Sequence, residues 1–76
     1  MKGYIKKEKI MELLILKNNN DYFRFKQEGS FLVKMDKASV FTMNQIDIVK
    51  QHKSRLIQEG FKDVRIKKLV LTEEDL

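Results

Sequence analysis

The sequence predicts an α+β fold: a β-β-β-α-β chain in which a small, mostly antiparallel four-stranded sheet carries one helix on one face. Three observations predict it. Matched start and stop signals bracket a single helix, short runs alternating apolar and basic residues lie on both sides of it, and clusters of Asn, Asp and Gly separate those runs.

The helix is defined by its ends. Thr42-Met43-Asn44-Gln45 has the capping-box pattern, with Thr42 as N-cap and Gln45 three residues later. Phe41 before the cap and Ile46 at the fourth helical position form the hydrophobic-staple pair. Gly60 suits the left-handed residue that ends a helix, and Phe61 follows where it can touch Leu56. The helix is therefore expected from about Met43 to Gln58, with Ile46, Val49, Leu56 and Ile57 as its apolar stripe.

Three strands are expected before it. Met11 to Leu16 leads into the turn cluster Asn18-Asn19-Asn20-Asp21. Tyr22 to Gln27 alternates aromatic and basic residues, Glu28-Gly29-Ser30 forms a second turn, and Phe31 to Met35 is the third strand. A three-residue turn there pairs Phe25 with Val33 and Phe23 with Met35, and puts Arg24, Lys26, Leu32 and Lys34 on the opposite face. A two-residue Gly29-Ser30 turn would mix basic and apolar side chains on one face, so the three-residue register is preferred. After the helix, Val64, Ile66 and Val70 alternate with Arg65, Lys67 and Leu69 as a fourth strand. A helical crossover is expected to return it parallel to the third strand, docked beside the first, in the order 3-2-1-4. A central first strand explains why that strand is apolar on both faces. Lys6 to Lys17 also fits an amphipathic helix, because short apolar runs do not separate the two states.

The bulk numbers bound the rest. With 76 residues there is one domain, and a chain of this size buries only about 60% of its unfolded surface. Residues 1–10 read as a basic segment, 11–72 as the domain and 73–76 as an acidic tail. The net charge is +5, from 16 Lys and Arg against 11 Asp and Glu. The first ten residues hold much of the excess, with Lys2, Lys6, Lys7 and Lys9 against Glu8. No Cys is present, in keeping with a reducing cytoplasm. The N-terminal lysines precede no apolar segment of signal-peptide length, and no run approaches a membrane span. A cytoplasmic protein without membrane association is expected.

No catalytic machinery is expected either. His52 is the only histidine, so two-histidine and Cys/His metal patterns cannot be built. Gly3, Gly29 and Gly60 stand too far apart for a phosphate loop. Ser30, Ser39 and Ser54 sit in no nucleophile elbow. Neither cofactor nor metal is implied.

Binding surfaces remain. One helix covers one sheet face, so the other should present Tyr22, Arg24, Lys26, Leu32, Lys34, Arg65, Lys67 and Leu69. Its cations suit phosphates and Tyr22 suits stacking, although sheet-based RNA readers usually offer two or three aromatics. Its leucines, with half of the first strand, equally suit a protein partner or a second copy. The first-strand patch could instead be covered by the N-terminal segment through Tyr4 and Ile5. A secondary surface is expected on the outward side of the helix at Ile48, His52 and Arg55.

Leu14-Ile15-Leu16-Lys17, the Tyr22-Phe23 pair, Asp36-Lys37-Ala38-Ser39-Val40-Phe41 and Gly60 before a final Val/Ile strand give a further clue. From about Leu13 to Leu71 the chain resembles short uncharacterised proteins of phages and prophages of low-GC Gram-positive bacteria. That resemblance implies a non-enzymatic accessory protein that binds a host protein or nucleoprotein complex, as an inhibitor of host defence or of nucleic-acid handling. Direct nucleic-acid binding and a homodimeric structural role are the alternatives.

Overall fold

The structure, a computed structural model, describes residues 8–76. Among the described residues it is a small α+β fold with five strands and one α-helix: β1 (Glu8–Asn18), β2 (Asp21–Lys26), β3 (Gly29–Val33), β4 (Phe41–Thr42), α1 (Ile46–Gln58) and β5 (Val64–Glu73). Short 3-10 turns occupy Met35–Lys37 and Met43–Gln45. The helical alternative for the first strand does not occur over the described residues, because β1 is extended throughout. The covering role considered for Tyr4 and Ile5 lies outside the described residues.

β1 is central. β5 pairs with it antiparallel along one edge, and β2 and β4 share the other. Leu13 lies opposite both Thr42 and Leu69, and Leu14 opposite both Phe41 and Lys68, which places β4 and β5 on opposite edges. β2 meets β1 only at Lys17↔Tyr22 and Asn18↔Asp21. Beyond that point Ser39 takes over the edge of β2. Its N–H donates to the Phe23 carbonyl at 3.0 Å, and its Oγ accepts from the Phe25 N–H at 2.9 Å.

Three expectations change. The sheet has five strands, because the two-residue β4 is inserted beside β1. β5, the expected fourth strand, runs antiparallel to β3. The helical crossover does join parallel strands, but they are β4 and β5, which flank β1, so the crossover starts from β4 and not from β3. The β2–β3 register also differs. Phe23 faces Leu32, Phe25 faces Ser30, Arg24 faces Phe31, Tyr22 faces Val33 and Lys26 faces Gly29. The turn is Gln27-Glu28, and Gly29 follows it at a φ of 145°, a conformation that favours glycine. The Gly signal thus marks the first residue of β3, not the middle of the turn.

Opposite residues of an antiparallel pair share a face, and neighbours along a strand alternate. Leu14 and Leu16 of β1, Phe23 of β2, and Val64 of β5 point to the helix and close one core with Val49 and Leu56. Phe61 meets Phe23 edge-on at 5.0 Å. The C-terminal stop is as the sequence indicates, whereas α1 starts at Ile46 and the capping box sits on the 3-10 turn Met43–Gln45 that leads into it. The Thr42 N–H donates to Gln45 Oε1 at 2.9 Å, completing a capping box. Gly60 has a φ of 108°, and the Gly60 and Phe61 N–H groups donate to the carbonyls of Ile57 and Leu56, each at 3.1 Å. The stripe is narrower than expected: Ile57 is 51% exposed, because it falls outside the arc through Ile46, Val49 and Leu56 that meets the sheet.

Candidate functional site

The face of the sheet turned away from α1 is formed by Met11, Leu13, Ile15 and Lys17 of β1 with their partners Leu71, Leu69, Lys67 and Arg65 of β5. The Lys17↔Tyr22 pair continues it into β2, and the β2–β3 register adds Arg24, Lys26, Phe31 and Val33. Tyr22, Arg24, Lys26, Arg65, Lys67 and Leu69 therefore share one face, as their alternation indicates. Leu32 and Lys34 do not belong to it. Leu32 lies opposite Phe23, on the helix side. Lys34 follows the end of β3 and pairs with Asp21 at 3.3 Å. The two-residue turn Gln27-Glu28 moves both, and it brings Phe31 onto the face opposite Arg24.

Across the middle of this face the charge has one sign, with Asp63 at one end and Glu73 at the other. Lys17, Arg24, Lys26, Arg65 and Lys67 lie on it, and from Met11 to Lys17, Tyr22 to Lys26, and Arg65 to Leu71 no acidic side chain points the same way. Glu12 and Asp21 both take the helix side. Two cations lie over aromatic rings: Lys17 Nζ is 5.3 Å from the centroid of Tyr22, and Lys26 Nζ is 5.5 Å from that of Phe31. Arg24 is held at the margin by a 2.9 Å bond from Nη1 to the Lys37 carbonyl. Between the cations runs an apolar strip of Leu13, Ile15 and Leu69. At the hairpin end, Lys17, Arg65 and Lys67 line a recess of about 480 Å³ with Asn19, Asn20 and Asp63. Asp63 accepts from Arg65 Nε at 2.9 Å, and Asn19 turns the chain with a φ of 55°.

The secondary surface expected at Ile48, His52 and Arg55 divides. Ile48 stays exposed. His52 turns inward instead and stacks on Phe25 at 4.2 Å and 18°, with Phe41 at 5.6 Å. Arg55 reaches over the edge of the same group, 5.7 Å from the Phe25 ring and 3.3 Å from Ser30 Oγ. Phe25, Ser30, His52 and Arg55 border a recess of about 300 Å³ between the helix and the β2–β3 turn. Stacking on Phe25 could not be read from the sequence, because it depends on β4 bringing Phe41 alongside.

His52 has its pKa lowered, first by burial and then by the Arg55 guanidinium. Its Nδ1 is buried and bonded to none of the described residues. The unfolded chain therefore takes up a proton more readily than the folded one. Stability from neutral His52 is complete above the ordinary histidine value of 6.5 and is lost as pH falls from there through the lower folded value. Urea midpoints measured from pH 8 down to pH 5 should decline below about 6.5, and His52→Phe should flatten that segment. An equal decline in the variant would assign it to other groups.

Among the described residues no group of three or more His, Asp or Glu could hold a metal, and no helix is long and apolar enough to cross a membrane. Compared with protein families, characterised proteins and solved structures, the chain matches none of them.

Proposed function

We propose that this protein is a non-enzymatic binding module whose outer sheet face docks on an acidic surface of a protein partner. The observation that carries the reading is the half-buried pair Leu13 and Leu69, backed by the fully buried Ile15 and set among cations. Protein interfaces have this anatomy, with an apolar centre, a polar rim, and Arg, Tyr, Phe and Met enriched. The aromatics favour it over base stacking. Lys17 and Lys26 already lie over the rings of Tyr22 and Phe31, where a base would have to stack. Blocking a host nucleic-acid-handling complex is the use that the phage-like segments suggest for such a module.

A second reading rests on the recess at Lys17, Arg65 and Lys67, whose three cations suit a phosphate backbone. One experiment separates the two. Immobilised protein and a Lys26→Glu/Lys67→Glu variant are exposed to nuclease-treated lysate from the host. The proposal expects a stoichiometric protein on the parent chain and at least a tenfold weaker capture on the variant, about 1.4 kcal/mol. Capture indifferent to the charge reversal overturns it. So does the absence of any protein together with a gel shift of single-stranded oligonucleotide that falls steeply with salt, about −0.7 in log–log slope per phosphate contacted.

A further inference from the structure

The outer edge of β5 has a self-complementary sequence. β5 pairs with β1 from Val64 to Glu73, and its other edge receives no strand among the described residues. Natural sheets keep such edges short or guard them with charge, lysine above all. β5 is ten residues long and guards only its first half, with Arg65, Lys67 and Lys68. The second half is Leu69-Val70-Leu71-Thr72, in which Val70 is 49% and Leu71 42% exposed. Glu73 and Asp75 follow.

We infer that this edge pairs with the β5 edge of a second copy, antiparallel, about a two-fold axis through Val70. The axis stands perpendicular to the sheet. Val70 then faces its own copy, Leu69 faces Leu71, Lys68 faces Thr72, Lys67 faces Glu73 and Arg65 faces Asp75. Leu69, Val70 and Leu71 meet only one another, Ile66 meets Glu74, and the basic half of each strand otherwise meets the acidic end of the other. Opposite-charge and apolar cross-strand pairs are the favourable ones in a sheet.

Neighbouring registers lose this match. Opposite residues must share a face, so only slips of two keep the sheet continuous. Centring on Leu71 sets Leu69 against Glu73. Centring on Leu69 sets Lys67 against Leu71 and Lys68 against Val70. The charge pattern thus selects the occupant and the match of Leu69 with Leu71 the register: an unrelated strand would have to reproduce the same order of basic, apolar and acidic residues.

The geometry has a consequence for the binding face. A two-fold axis perpendicular to the sheet keeps both helices on one side and both basic faces on the other. The joined sheet runs β3-β2-β1-β5 and then the same strands in reverse. At the seam Lys67 and Arg65 are compensated by Glu73 and Asp75 of the other copy, and the remaining cations Lys17, Arg24 and Lys26 of each copy lie on either side of it on one continuous sheet face. This inference does not rest on the nature of the bound partner.

The test is the mass of the full chain by light scattering and sedimentation at micromolar to submillimolar concentration in low salt. The expected mass is that of a dimer. Val70→Lys places two ammonium groups at the axis and should give a monomer. Lys67→Glu replaces two attractive pairs with two repulsive ones and should weaken the dimer about tenfold or more. Lys67→Glu/Glu73→Lys reverses both partners and should restore it, a rescue that loss of folding could not produce. A parent chain that is monomeric across the range leaves the edge to a foreign strand and overturns the inference. A dimer indifferent to Val70→Lys and Lys67→Glu also overturns it.

Discussion

Phe23→Ala should remove most of the stability of this domain. Phe23 is fully buried, meets Phe61 edge-on at 5.0 Å, and lies 6.1 Å from Phe25 in a nearly parallel stack. It is the largest fully buried side chain and touches both layers, because β2 carries it under the end of α1 where Gly60 turns the chain. Truncating a core Phe costs about 3–5 kcal/mol, from lost transfer free energy and the cavity that remains. A domain of this length has a total of about 4–11 kcal/mol. Urea unfolding should show the midpoint falling by half or more, or a chain unfolded without denaturant. A loss below about 1 kcal/mol would show that the helix–sheet core does not hold this fold together. The same truncation at Leu32, directly opposite on β3 but 45% exposed, should cost far less.

That contrast between Phe23 and Leu32 also shows what was legible in the sequence. Helix ends are local chemistry: Thr42, Gln45, Gly60 and Phe61 interact with residues three to five positions away, so their spacing carries the information. The faces of β5 were legible for a similar reason, since Val64 and Ile66 alternate with Arg65 and Lys67 in an uninterrupted period of two. The β2–β3 register was not. Matching apolar residues across the turn assumes that β3 covers Phe25, whereas His52 and Phe41 cover it, and both arrive from distant segments. β4 was invisible because two residues have no period. Without it the crossover seemed to begin at β3, which reversed the expected direction of β5. Alternation alone is enough to place Tyr22, Arg24, Lys26, Arg65, Lys67 and Leu69 on one side of the sheet. The candidate face was misread at Leu32 and Lys34, where it depends on the turn.

Ile15→Ala should cost about 2–5 kcal/mol, the range for truncating a buried Ile, although Ile15 is on the far side of the sheet from the helix. Ile15 is fully buried and stands outside the cluster formed by Leu14, Leu16, Phe23, Val49, Leu56 and Val64. Its partner across β5 is Lys67, which places it on the outer face. An antiparallel sheet with one solvated face alternates apolar and polar residues cleanly. β1 breaks that alternation: Leu13 and Ile15 point outward between Leu14 and Leu16, and only Lys17 restores it. The outer face thus contains a buried side chain at its centre, and exposed lysine and arginine side chains stand around it. Ile15→Val, which removes one methylene, should cost only about 0.5–1.5 kcal/mol and leave the strip of Leu13 and Leu69 able to bind. Ile15→Ala should open a dent in that strip and weaken partner capture even under conditions where circular dichroism shows the variant folded. Equal urea midpoints for Ile15→Ala and the parent chain would contradict this and make the outer side an ordinary solvated face. A large stability loss with capture unchanged in the folded fraction would instead separate the buried strip from the binding surface and leave the cations alone to recognise the partner.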